Sequence, residues 1–203
     1  MAYNNGPRIV TNGLVFSVDA ADRNSYPGSG TTWTDVSLSG NNGTLTNGPT
    51  FSSTYGGGIV LDGINDYVSI NDAASLEPAT AICLEAVFTH STLNNYNVII
   101  CKPFNGPPWS SPFLSYMLRL NAAGFGLPNH MEIGLNLDGS YKTARHDFTY
   151  SLNTVYHVLF NYNTAGTVQY YVNGVLQTLS GSTISTATAI GYSTPPLLSL
   201  IHI

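Results

Sequence analysis

The chain has 203 residues, only 8% of them charged, and carries a net charge of −5. That length suits one all-β domain with a full core, and the six cations (Arg8, Arg23, Lys102, Arg119, Lys142 and Arg145) are too scattered to form the basic face that a nucleic-acid binder needs. No run approaches the roughly 20 apolar residues of a membrane-spanning helix, and residues 1–7 lack the charged and apolar regions of a signal peptide, so synthesis in the cytoplasm with reduced thiols is expected.

Turn signals divide the chain evenly. Asn-Gly pairs begin at Asn5, Asn12, Asn42, Asn47, Asn105 and Asn173, and Asp-Gly pairs at Asp62 and Asp138. Residues 1–12 read as an N-terminal arm. Short alternations of apolar and polar residues then predict strands over residues 14–19, 43–45, 58–61, 67–70, 81–89, 98–102, 116–121, 131–137, 154–162, 167–172 and 175–179. Residues 72–76 hold one helical turn at most. Cys83 and Cys101 lie in apolar strand-like runs and read as two small core residues without metal spacing. Residues 103–112 (PFNGPPWSSP) read as a long surface loop, because proline cannot join an interior ladder.

Residues 153–177 carry the clearest pattern. Tyr156, Val158, Phe160 and Tyr162 alternate with Val155, His157, Leu159 and Asn161; a second strand holds Val168, Tyr170 and Val172; Asn173-Gly174 supplies the turn into a third. Many short strands with dense turns predict two antiparallel sheets packed face to face, an all-β sandwich.

The segments Tyr156-His157-Val158 and Tyr171-Val172-Asn173-Gly174 resemble the laminin-G-like jelly-roll domains of the concanavalin A-like lectin/glucanase superfamily. Gly13-Leu14-Val15-Phe16-Ser17-Val18-Asp19-Ala20, Trp33-Thr34-Asp35 followed by Asn41-Asn42-Gly43-Thr44, and Leu61-Asp62-Gly63-Ile64-Asn65-Asp66-Tyr67-Val68 carry the same resemblance, in the same order. It implies a two-sheet antiparallel jelly roll from residue 13 to about residue 190, with Trp33 in the core and His157 structural. The superfamily's closing strand is not recognisable after Pro196. The domain is therefore expected to span 13–197 without its last strand and with an open, aggregation-prone edge. Residues 198–203 (LSLIHI) back-translate to a transposase end sequence and read as a non-native tail.

Glucanases of the superfamily use a Glu-x-Asp-x-x-Glu pattern, so that one acid protonates the leaving oxygen while another attacks or activates water. No such triplet occurs: Glu132 and Asp138 stand six residues apart, Glu85 is alone in its strand, and no other catalytic set is assigned. Sugar binding asks for exposed rings and amides. The candidates are Trp109 in the proline loop with Phe104 and Phe113 beside it, Tyr96 and Tyr141 near turns, and Asn105 among the asparagines; loop pinning and strand packing are the competing roles of these rings. Asp62, Asn65 and Asp66 offer three side-chain oxygens in one turn and make calcium the candidate cofactor, against the plain alternative of a capped hairpin.

The opening residues 1–15 look like the start of laminin-G-like proteins encoded by tailed phages. The expected function is accordingly a non-catalytic carbohydrate-binding or structural recognition domain of a virion or tail-associated protein. Its expected partners are a host glycan or cell-surface polysaccharide and other virion proteins, with no nucleic acid and no membrane insertion. The alternatives are a glycoside hydrolase or lyase on the same fold, and a bacterial surface adhesion module.

Overall fold

The structure is a computed structural model that describes residues 10–92, 97–104, 113–121, 129–147 and 149–199. Strands β1 (Thr32–Trp33), β2 (Gly43–Thr46), β5 (Tyr67–Ile70), β7 (Asn97–Pro103), β8 (Leu114–Asn121), β9 (His130–Leu137), β10 (Ser140–Asp147), β14 (Gly181–Ser182) and β15 (Leu197–Ser199) form a nine-stranded antiparallel sheet in the order β1-β2-β5-β15-β7-β8-β9-β10-β14. A second sheet has the order β13-β12-β11-β6, from β6 (Ala81–Phe88), β11 (Tyr156–Asn163), β12 (Val168–Val172) and β13 (Val175–Leu176). A small ribbon pairs β3 (Thr50–Ser52) with β4 (Gly58–Val60). The only helical elements among the described residues are two short 3-10 turns, one of them Ala74–Leu76, where a single turn was expected. No described helix is long and apolar enough to cross a membrane.

The core lies between the two large sheets. Val158, Phe160 and Tyr170 from the small sheet meet Leu118, Met131, Ile133 and Leu135 from the large one, all fully buried. Phe160 and Tyr170 stack with ring centroids 4.5 Å apart. The period of two in β11 is seen directly, as buried and half-buried residues alternate along all eight positions. Asn173 and Gly174 both have positive φ, 50° and 77°, as the two-residue turn requires.

Several elements differ from expectation. Residues 14–19 join no ladder. Their backbone groups are taken by side chains and a neighbouring loop instead: Ser17 N–H donates to Asp35 Oδ1 (2.9 Å), Asp19 N–H to Ser25 Oγ (3.0 Å), and Val36 N–H to the Ser17 carbonyl (2.8 Å). Strand β10 was missed because SYKTARHD has no apolar alternation; the Asp138-Gly139 turn, with φ of 49° and 79°, folds it onto β9 through eight residue pairs. The short strands β1, β3, β14 and β15 also carried no pattern long enough to read. Cys101 is buried as expected, but Cys83 is exposed, because it falls on the solvent side of β6.

The C-terminal segment does not leave the slot beside β5 open. Leu197–Ser199 pairs with Ile70, Ser69 and Val68 of β5 on one side, and Leu198 and Ser199 pair with Cys101 and Ile100 of β7 on the other. Leu197 is buried. Lys102, wholly buried, anchors this region by an ion pair with Asp72 and a hydrogen bond to the Pro195 carbonyl (3.1 Å). An ammonium out of water needs such partners.

Candidate carbohydrate-binding face

Strands β8, β9 and β10 turn Leu118, Ile133 and Ala144 into the core. Their neighbours along each strand therefore point to the opposite side: Arg119, Glu132 and Arg145 form one row, Met117, Gly134 and Thr143 the next, and Asn121, His130 and Asp147 a third. Every residue of β9 is buried, so this second face is covered as well. A covered face with polar residues needs internal pairing, and the row supplies it. Arg119 Nη2 donates to Glu132 Oε1 at 2.5 Å, Tyr141 Oη donates to the same oxygen at 3.2 Å, His130 Nε2 stands 4.0 Å from Oε2, and Asn121 Nδ2 stands 3.1 Å from His130 Nε2. Arg145 and Asp147 pair at 3.2 Å beside them.

Tyr141 joins this network to an aromatic strip. Its ring lies across Gly134, where a Cβ would stand 2.7 Å from Cε2 and 2.9 Å from Oη, so only glycine lets the ring cross the strand. Burial, and next the Glu132 carboxylate, push the Tyr141 hydroxyl well above its usual range, so it remains a donor. Phe113 meets the Tyr141 ring edge-on at 5.7 Å. It is 48% exposed and holds a left-handed φ of 56°, an uncommon conformation for a bulky residue. Phe104 N–H donates to the Phe113 carbonyl (3.2 Å), which ties the two ends of the proline loop together.

The structure thus brings Phe104, Phe113 and Tyr141 to the foot of one loop. Trp109, Asn105 and Tyr96 lie outside the described residues. Arg119, Glu132, His130 and Asn121 were not singled out as binding residues from the sequence. A signal for them existed: in HMEIGLNL, the residues His130, Glu132, Gly134 and Asn136 alternate with four apolar ones, which marks a strand with one polar face.

The metal candidates share one turn. Asp62 Oδ1 accepts the backbone N–H groups of Ile64 (2.8 Å), Asn65 (3.1 Å) and Asp66 (3.2 Å), and Asp66 Oδ2 accepts the Asp62 N–H (3.1 Å). Those N–H donors hold the Asp62 carboxyl below its usual range. This arrangement closes the turn between β4 and β5, which belong to different sheets, and a Ca2+ ion would have to compete with three N–H dipoles already aimed at Oδ1. No cluster of three His, Cys, Asp or Glu residues suited to a metal occurs among the described residues.

The sequence model of a family described as the concanavalin A-like lectin/glucanases superfamily matches residues 62–199, and the chain belongs to that superfamily. No curated protein sequence matches the chain. Among solved structures, the fold is similar to the binding domain of Paraclostridial Mosquitocidal Protein 1 (13% identity, 93% of this chain and 44% of that one, TM-score 0.66). It is also similar to the receptor binding domain of the botulinum neurotoxin C/D mosaic serotype (14% identity, 96% and 44%, TM-score 0.64). A third is the binding domain of botulinum neurotoxin DC in complex with SialylT (13% identity, 94% and 44%, TM-score 0.57). The chain spans less than half the length of each of these.

Proposed function

We propose that this member of the concanavalin A-like lectin/glucanases superfamily is a non-catalytic domain that binds carbohydrate on the polar side of β8, β9 and β10, beside Phe113 and Tyr141. The observation that carries the reading is the half-exposed Phe113 set edge-on against the partly buried Tyr141, whose hydroxyl donates to a carboxylate held by a guanidinium. Rings of this kind stack on pyranose faces. The similar neurotoxin DC domain, solved with SialylT, supports a binding rather than a chemical role.

Hydrolysis by the two-carboxylate route is disfavoured on the residues of β9. Glycosidases place two carboxyl groups on either side of the scissile bond, about 5 to 9 Å apart. On this face Glu132 is followed along its strand by Gly134 and Asn136, which supply neither the second acid nor a nucleophile, and the neighbouring acid on β10, Asp147, is paired with Arg145. The setting we propose is a phage virion or tail-associated protein that meets host-surface polysaccharide. It rests on the resemblance of residues 1–15 to the start of phage-encoded laminin-G-like proteins.

A glycan array followed by calorimetry tests the reading. Tyr141→Ala and Phe113→Ala are expected to weaken binding about tenfold each, while Tyr171→Ala on the opposite side of the molecule leaves it unchanged. Absence of binding to any glycan at millimolar concentration overturns the carbohydrate reading. Release of reducing sugar from a bound glycan, lost in Glu132→Gln, overturns the non-catalytic one.

A further inference from the structure

Lysine side chains are seldom fully out of water, and that of Lys102 is. Its cross-strand mate on β8 is Tyr116, a residue of the core between the sheets, so Lys102 is turned to the core side and carries its amine inward. Among the described residues, three groups meet Nζ. Asp72, between β5 and the Ala74–Leu76 turn, is the direct ion-pair partner; the Pro195 carbonyl stands at 3.1 Å; Glu77 Oε1 stands at 3.8 Å.

Glu77 is fixed from both sides. Tyr116 Oη donates to the Leu76 carbonyl (3.2 Å) and Tyr192 Oη to the Pro78 carbonyl, and the two rings meet edge-on with centroids 6.1 Å apart. One carboxylate balances one buried ammonium. The second, beyond hydrogen-bond distance yet held in place by two tyrosines, is more than charge balance asks for.

We propose that Lys102 and Asp72 condense to an intramolecular amide, with Glu77 as the proton carrier. The three contacts match what the reaction requires of the nitrogen. The ammonium gives one proton to Asp72, which leaves an amine beside a carboxylic acid and removes the desolvation that a buried ion pair suffers. The amine lone pair then attacks Asp72 Cγ. Of its two remaining N–H groups, one stays on the nitrogen and is accepted by the Pro195 carbonyl. The other proton goes to Glu77, which passes it to the departing hydroxyl. One C–N bond forms, one C–O bond breaks and one water leaves, with no oxidant or outside reagent. The Asp72 and Glu77 side chains are each 30% exposed, which gives that water a way out while the amine stays dry. Well-oriented groups reach effective molarities on the order of 10⁵ M or more, which offsets the bias of bulk water against condensation. The product joins the β5–β6 connection to β7 and encloses β6, a strand of the other sheet, so it ties the two sheets together covalently. Like a disulfide, such a ring restricts the unfolded chain.

The intact mass of the purified full chain, after incubation in the folded state, is the first test. The wild type is expected to be lighter than its sequence by one molecule of water. A digest of the denatured protein is expected to contain a branched peptide that joins the segments of Asp72 and Lys102. Glu77→Gln keeps the size of the side chain but cannot carry the proton; it is expected to fold, by circular dichroism, and to retain the full mass. Lys102→Met is also expected to retain the full mass, and the branched peptide of the wild type decides the matter should that variant fail to fold. A wild-type chain of full mass overturns the proposal. So does a digest without the branched peptide, or a loss of water that persists in Lys102→Met, which would place the loss at an Asp-Gly succinimide such as Asp62-Gly63 or Asp138-Gly139. A Glu77→Gln chain that still loses water overturns the role given to Glu77.

Discussion

The two large sheets treat their outer faces differently. In β11, buried residues alternate with half-buried ones, and the outer side chains His157, Leu159 and Asn161 are in partial contact with water. In β9 every position is buried, so Glu132 and His130 are covered although both can carry charge. Water reaches the outer groups of β11. Strand β9 has to satisfy its own. The His157–Glu85 contact (2.7 Å) and the Arg119–Glu132 contact (2.5 Å) look alike as distances, yet the first has both side chains 40% or more exposed and the second has neither above 17%. The same pairing is therefore optional on one sheet and required on the other.

That contrast can be tested, beginning with the core that both sheets share. Phe160→Ala removes a fully buried ring from its stack on Tyr170 and is expected to cost about 3–5 kcal/mol in denaturant unfolding. Glu132→Ala should cost about 3 kcal/mol, because it strips the carboxylate from a covered guanidinium, whereas Glu85→Ala should cost less than about 1 kcal/mol. Equal losses at the two glutamates would break the comparison.

Asp35 extends it to a covered loop. Burial is the largest single influence on this carboxyl and pushes it up, but hydrogen bonds from Ser37, Ser17 and Asn41 together hold it below its usual value. A depressed folded value means the bonds stabilise the fold above the unfolded pKa and fail as pH falls through the folded one. The stability gap between wild type and Asp35→Asn is thus expected to be full above about pH 4 and to close on further acidification. Urea titrations at several pH values check this.

The smallest effect is kinetic. Burial pushes the Cys101 thiol to about 12, and Cys83 is raised less strongly and is exposed. Maleimide should label Cys83 in the native chain and reach Cys101 only after unfolding.

Much of the small sheet was legible in the sequence. The alternation in residues 156–162 and the Asn173-Gly174 turn are local, because a strand with one wet face prints its burial on every second residue. The large sheet was less so. SYKTARHD shows no alternation in hydropathy, and its place depends on the Asp138-Gly139 turn and on a neighbour able to pair its polar residues. Residues 14–19 failed in the opposite sense: they alternate well, but Asp35, Ser25 and the Val36 backbone hold groups that a ladder would have used. At the candidate site, Tyr141 and the phenylalanines beside the proline loop could be named from composition and turns. Their meeting with Arg119 and Glu132 could not, since it depends on the registers of β8, β9 and β10.

By itself the sequence determined the β class, the hairpin of β11, β12 and β13, the superfamily resemblance and the lack of a glucanase triplet. Each rests on residue type and short-range spacing. Tertiary structure alone decided that Leu197–Ser199 lies between β5 and β7, that Cys83 faces water, and that Gly134 lets Tyr141 lie against Glu132. Those outcomes depend on which strands become neighbours. Strand order is set by burial summed over the whole sandwich, and no short window of residues encodes it.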